Sequence, residues 1–192
     1  MLASSGNHHG QEQTTNKTNN MAEENLVTSS KVDCDLDAKI LVAAKDGELE
    51  IVKKMLVQGA DVESKCCDES TPLTCAVYNN HLPVARYLVE AAKANTNTQD
   101  AFGATPLMYA ARNGYQDMVR YLVEEAKANV EARDAHGATA LIRASHFGRL
   151  EIVKYLVEKA KANVYVANDR ERTALEVAEE EGVVEYLTSS CR

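Results

Sequence analysis

With 192 residues, 45% of them apolar, the chain is long enough for one domain with a sizeable core and a tail. Two Phe and no Trp fit a core built from Ala, Leu and Val rather than from large aromatics. A formal net charge of −8 without a basic stripe argues against a nucleic-acid partner, and no run approaches the roughly 20 apolar residues that span a bilayer.

The chain opens on a segment unlike the rest. Residues 1–32 read as a disordered polar tail: Ser4 to Asn20 is dominated by Ser, Asn, Gln, Thr, Gly and His, without apolar periodicity. Nothing near Met1 serves as a signal peptide, so Asn16-Lys17-Thr18 reads as an unused glycosylation pattern and His8-His9 as a surface pair. The five Cys (Cys34, Cys66, Cys67, Cys75 and Cys191) are odd in number and lack Cys-x-x-Cys spacing. They read as reduced thiols of a soluble intracellular protein, cytoplasmic or also nuclear.

From 33 to 192 the chain repeats. Thr71, Thr105, Thr139 and Thr173 lie 34 residues apart, and each opens a Thr-Pro-Leu or Thr-Ala-Leu triplet. Ala76, Ala110, Ala144 and Ala178 follow at one offset, then Asn80, Gly114, Gly148 and Gly182. Arg86-Tyr87-Leu88-Val89-Glu90 returns around Tyr121 and, with Lys for Arg, around Tyr155; Ala-Lys-Ala-Asn closes three units at Asn95, Asn129 and Asn163. An earlier unit, from Asp35, lacks the triplet but has Ala43 and Gly47 at the matching spacing. This gives five units, about 35–66, 67–99, 100–133, 134–168 and 169–192.

The third unit illustrates the expected local structure. Thr105 is placed to cap a helix with its hydroxyl, and Pro106 occupies the first helical position, where no amide donor is needed. Leu107, Ala110 and Ala111 form an apolar stripe, and Gly114 ends the helix in the left-handed conformation. A second helix is expected from about Gln116 to Ala126, with Asn129 taking the left-handed turn beyond it. Val130 to Gly137 reads as an extended hairpin turning near Asp134. Helices this short are unstable alone, so neighbouring units must bury one another's Leu and Ala faces in a solenoid.

Asp100-Ala101-Phe102-Gly103-Ala104-Thr105-Pro106-Leu107, continuing to Gly114, resembles an ankyrin repeat, as does Gly59-Ala60-Asp61-Val62. The resemblance covers about 155 of the 192 residues. It implies an all-α solenoid of helix-turn-helix units with short β-hairpins. Departures carry their own expectations. The added residue in Ala-Lys-Ala should lengthen the exit of the second helix. Glu69 and Asn80, standing where Gly is usual, should distort the hairpin and inter-helix turn of unit two. Unit five, with Glu171 for Gly, Ala174 for Pro and Glu176, Glu179, Glu180 and Glu181, reads as a C-terminal cap; the first unit reads as an N-terminal cap, and the array as complete and monomeric.

The resemblance further implies a concave face made of hairpin tips and the exposed side of each first helix. The matching tips are Asp68, Ala101, Phe102, Ala104, Ala135, His136, Ala138 and Arg170; the helix ends are Lys45, Asp46, Tyr78, Asn79, Arg112, Asn113, His146, Phe147, Glu180 and Glu181. Both Phe of the chain fall on this face, and aromatics and Arg dominate binding hot spots. The candidate protein-binding set is therefore Lys45, Asp46, Tyr78, Asn79, Phe102, Arg112, Asn113, His136, His146 and Phe147. Tyr87, Tyr121 and Tyr155 recur in register and read as structural. No phosphate loop, nucleophile elbow or zinc-protease motif occurs, so no enzyme, cofactor or metal is expected. The expected function is to bind another protein, as an adaptor or scaffold. The alternatives are a stoichiometric inhibitor of an enzyme or transcription factor and, in another class, a small-ligand or metal protein using Cys66, Cys67 and Cys75.

Overall fold

A computed structural model describes residues 35–190. The tail reading for 1–32 and the ends carrying Cys34 and Cys191 lie outside the described residues. Ten helices occur among those described: α1 (35–46), α2 (Leu49–Val57), α3 (Pro72–Tyr78), α4 (Leu82–Glu90), α5 (Pro106–Asn113), α6 (Gln116–Glu124), α7 (Ala140–His146), α8 (Leu150–Glu158), α9 (Ala174–Val177) and α10 (Glu181–Ser190). They pair as five antiparallel units sharing one core that runs from Ile40 to Leu187.

Each unit is too short to stabilise itself, and its apolar side chains are buried by its neighbours. Leu73, Leu88, Leu107, Leu122, Leu141 and Leu156 are at most 1% exposed, and full burial of such a side chain contributes roughly 1.5–3 kcal/mol. Ala76, Ala110 and Ala144 have no exposed surface, and their small side chains let α3, α5 and α7 pack closely side by side. The second helices touch one another less than the first helices do.

Three ladders of hydrogen bonds fix the stacking register. At the loop tips, the Ala101 amide donates to Asp68 O, Ala135 to Phe102 O and Asp169 to His136 O, at 2.9–3.0 Å. Between the helices, His81 Nε2 donates to Lys45 O, the Tyr115 hydroxyl to Tyr78 O and Arg149 Nε to Arg112 O, at 2.9–3.3 Å. At the second-helix exits, the Asn95, Asn129 and Asn163 amides donate to Glu63, Asn97 and Glu131 of the unit before.

Several local expectations change. No β-strand forms among the described residues; each hairpin is a tight turn instead, as in Gly103 N to Asp100 O and Gly137 N to Asp134 O, both 2.9 Å. A side chain at Gly103 would come 2.7 Å from the Ala135 backbone nitrogen, so glycine there serves the approach of the next loop as well as the turn. Glu69 and Glu171 adopt the same left-handed conformation as Gly103 and Gly137, and Asn80 (φ 61°) matches Gly114 and Gly148, so unit two is not distorted. Thr71 and Thr139 accept from the amides of Thr74 and Ile142, and Thr173 forms a capping box with Glu176. Thr105 does not cap with its side chain; its hydroxyl is buried without a partner, and the Met108 amide bonds Thr105 O instead.

The second helix of unit three stops at Glu124, and the Ala126 amide reaches back five residues to Tyr121 O. This wide turn absorbs the added residue, and the same bond recurs at Ala92 and Ala160. The left-handed residue that follows is Lys93, Lys127 or Lys161, where the first unit has Gly59, and not Asn129. In the last unit Gly182 lies inside α10, and α9 ends after one turn.

A lysine in the left-handed region costs about 1–2 kcal/mol relative to glycine, of which glycine's greater chain entropy returns about 0.5–1. Lys127→Gly is therefore expected to raise stability by about 0.5–1 kcal/mol, read as a higher urea midpoint at unchanged slope. A lower midpoint would show that the Lys127 side chain contributes more than its backbone costs.

Candidate functional site

The loops of units three and four owe their shape to one carboxylate each, and Asn168 does the same in unit five. Asp100 Oδ1 accepts from the amides of Phe102 and Ala104, and Asp134 Oδ1 from His136 and Ala138, which folds each tip around a side chain. The second oxygen ties the loop to its own first helix. Asp100 Oδ2 takes the Tyr109 hydroxyl at 2.5 Å, and Asp134 Oδ2 takes Nε of Arg143 at 2.8 Å together with the adjacent guanidinium nitrogen. Burial and the Asp100 carboxylate push the Tyr109 phenol well above its usual range.

In unit two the corresponding positions hold Cys66 and Cys75, each 34 residues before its counterpart. Asp68, two residues along, supplies the missing carboxylate: it accepts the Cys66 thiol at 2.6 Å and the Ser70 amide at 3.1 Å. Burial, then the Asp68 carboxylate, raises the Cys66 thiol, whereas the Cys66 and Ser70 donors hold Asp68 below the usual carboxylate range. Cys75, more deeply buried against Cys66, is pushed up to about 12. His81 is committed to Lys45 O, away from these thiols. Among the described residues, no three His, Cys, Asp or Glu side chains converge as metal ligands would.

Six of the ten expected site residues border two depressions of the surface. Lys45, Tyr78, Asn79 and Arg112 border a groove of about 480 Å³ whose wall also holds Cys75 and Tyr109. The Tyr78 ring stands edge-on to Tyr109 with centroids 5.3 Å apart. Beyond it, Arg112 lies 4.8 Å over the Phe147 ring, and His146 meets the same ring edge-on at 5.0 Å. Phe147, Tyr78 and Phe102 remain 36%, 49% and 61% exposed, so none is spent on the core. His136 and His146 border a second depression of about 280 Å³ with Arg143, Arg170 and Arg172.

Other expected residues have structural duties. The Asn79 side chain bonds Cys75 O of its own helix, and Asn113 reaches Tyr78 O of the unit before at 3.4 Å. Asp46 is the exposed last residue of α1. Glu180 and Glu181 do not end a first helix: the Glu180 carboxylate accepts the Val183 amide, and Glu181 begins α10. Tyr121 and Tyr155 are buried along the second helices, as expected, with Arg86 and Arg120 over their rings and the Tyr155 hydroxyl on Glu124. Arg86 continues to Glu125 of the next unit by a two-pronged pair at 2.6–2.7 Å. Cys75, Tyr109, Arg143 and Arg172 were not in the expected set. Register arithmetic alone pairs 66 with 75, 100 with 109 and 134 with 143, and so marks three of the four.

Comparison with known proteins bears on this geometry. Residues 40–134 match a family model described as ankyrin repeats (3 copies), and residues 113–157 match one described as ankyrin repeats (many copies). The mitochondrial liver isoform of glutaminase from Rattus norvegicus is 31% identical over 64 residues, 33% of this chain and 11% of that protein. The Mus musculus protein of the same name matches to the same extent. The chain thus spans about a tenth of the length of these curated relatives.

The thiolate is the nucleophile, so a thiol pushed up to about 12 reacts slowly at neutral pH, whereas Cys67 is exposed. Iodoacetamide labelling near neutral pH, mapped by mass spectrometry, should modify Cys75 at least about tenfold more slowly than Cys67. Equal rates would show that Cys75 is not held in this buried position.

Proposed function

The chain belongs to the ankyrin-repeat family, and we propose that it acts as an adaptor or scaffold, holding a partner protein on the inner face of units two to four. Ankyrin repeats are in general protein–protein interaction modules, so the step taken is to the face and the residues. One observation carries it: the two Phe and Tyr78 stay exposed at the loop tips and the ends of the first helices, while Tyr121 and Tyr155 of the second helices are buried. Exposed aromatics beside Arg112 match the composition of binding hot spots, where truncation costs about 2 kcal/mol or more. Ring contacts with Arg112 and His146 hold Phe147 in place, so little side-chain entropy is lost when a partner covers it.

This reading assigns no enzymatic activity to the chain. The likeness to glutaminase covers a tenth of those proteins and brings none of their activity with it. No helix among the described residues is long and apolar enough to cross a membrane, which suits a partner met away from the bilayer core. An inhibitor that occludes an enzyme or transcription factor would use the same face, and the partner's identity separates the two roles.

Pull-down from source cells should distinguish wild type from a variant with Phe102, Arg112, His146 and Phe147 all replaced by Ala. These side chains are exposed, so the variant is expected to keep its helical circular dichroism and unfolding midpoint while losing its partners. A folded variant that retained every partner would place the interface elsewhere.

A further inference from the structure

The charge of the inner face runs against the charge of the chain. Overall, 29 acidic residues outweigh 21 basic ones. The two inner depressions reverse this: Lys45, Arg112, Arg170 and Arg172 line them against Asp68 and Asp169, the fifth cation, Arg143, being spent on Asp134. Both acids are already engaged, Asp68 by Cys66 and the Ser70 amide, and Asp169 by Arg133 at 3.8 Å. Asp134, beneath the second depression, has no exposed side-chain surface and is neutralised by Arg143. Glu176 on the adjoining helix is turned to the Thr173 amide and hydroxyl. Arg170 and Arg172 are exposed at the rim, with Glu171 between them in the turn.

Taking the inner face as the binding surface, as above, we propose that the partner segment it holds is an acidic stretch of polypeptide carrying apolar side chains. Carboxylates of that segment would meet Arg170 and Arg172 at one end, Arg112 in the middle and Lys45 at the other end. Its apolar side chains would lie against Phe147 and Tyr78, which stand near the middle of the path. Basic side chains spread over the depressions, with aromatics between, suit a chain whose charges are spaced by apolar groups. A phosphate backbone is a poorer fit, because the surrounding chain carries a net charge of −8 and would repel a denser polyanion. Complementarity of this kind sets specificity and association rate.

The test uses the full chain and fluorescence anisotropy with three labelled probes. They are a peptide of about twelve residues alternating pairs of Glu and Leu, its counterpart with Lys for Glu, and a single-stranded oligothymidylate of similar length. The acidic peptide should bind at least about tenfold more tightly than the other two, and raising salt from about 0.05 to 0.5 M should weaken it about tenfold. Arg170→Glu with Arg172→Glu should weaken it at least about tenfold. Lys127→Glu with Lys161→Glu makes the same change in net charge at the second-helix exits and should leave binding within about twofold. The proposal is overturned if the acidic peptide does not bind, if the basic peptide or the oligonucleotide binds as well, or if both charge reversals weaken binding equally. Its failure is separable from that of the inner-face reading. If the acidic probe fails while the four-alanine variant still loses its partners, only the acidity of the segment is wrong.

Discussion

No unit of this chain can bury its own apolar faces. Each contributes two helices of at most three or so turns, and one side of that pair stays bare until another unit covers it. Ile51 makes this visible. The matching positions in the next three units, Val84, Met118 and Ile152, are at most 2% exposed because a preceding unit lies on them, whereas Ile51 is 42% exposed and has no preceding unit among the described residues. The side chains are of one kind; the neighbour decides their burial. The rest of the architecture serves this nearest-neighbour contact, including the alanines that bring the first helices close and the ladders that set the register.

Stacking also decides where function can sit. It consumes the two sides of each unit that face its neighbours, leaving the outer helices and the inner loops. The outer helices spend their polar groups on cross-unit ties, as in Arg86 to Glu125 and Tyr155 to Glu124. On the loop side the turns are held by their own Asp or Asn side chains and by backbone, so Phe102, His136 and Arg170 project from shaped turns. A rigid tip presenting an uncommitted side chain is what a binding surface needs, because ordering costs are met before the partner arrives.

How much of this was legible in the sequence depended on whether a feature repeats. The helix pairs recur about every 34 residues, the proline opens the first helix in units two and three, and glycine follows the first helix in units one, three and four, as the structure shows. Features set by a single side chain were not legible. Thr105 stands where Thr71 and Thr139 cap, yet its hydroxyl stays unpaired, a difference of local orientation that no residue pattern encodes. Glu69, Asn80, Glu171 and Lys127 take left-handed backbone because closure of the turn outweighs their intrinsic preference. The sequence points to Asn129 for the left-handed residue after the second helix, because Asn tolerates that conformation better than Lys; with Ala128 buried in the core, Lys127 takes it instead.

Along the chain, some register positions are dictated by the stack and others are left open by it. Some register positions are filled alike in every central unit: Tyr87, Tyr121 and Tyr155, or Leu88, Leu122 and Leu156. Each of these touches a neighbouring unit, so the stack dictates it. Others change along the array, with only Asn79 and Asn113 repeating between successive units. One runs Lys45, Tyr78, Arg112, His146; a second runs Asp46, Asn79, Asn113, Phe147; a third runs Asp68, Phe102, His136, Arg170. These three columns border the inner face, and their side chains vary in size, charge and aromaticity while the backbone beneath them does not. Where the fold imposes no choice, the residues present follow some other demand. The ladder bonds of the first and third columns use the backbone oxygens of these residues, so stacking does not dictate the side chains there. A surface whose scaffold repeats and whose side chains do not has the form of one shaped to a single, non-repeating partner.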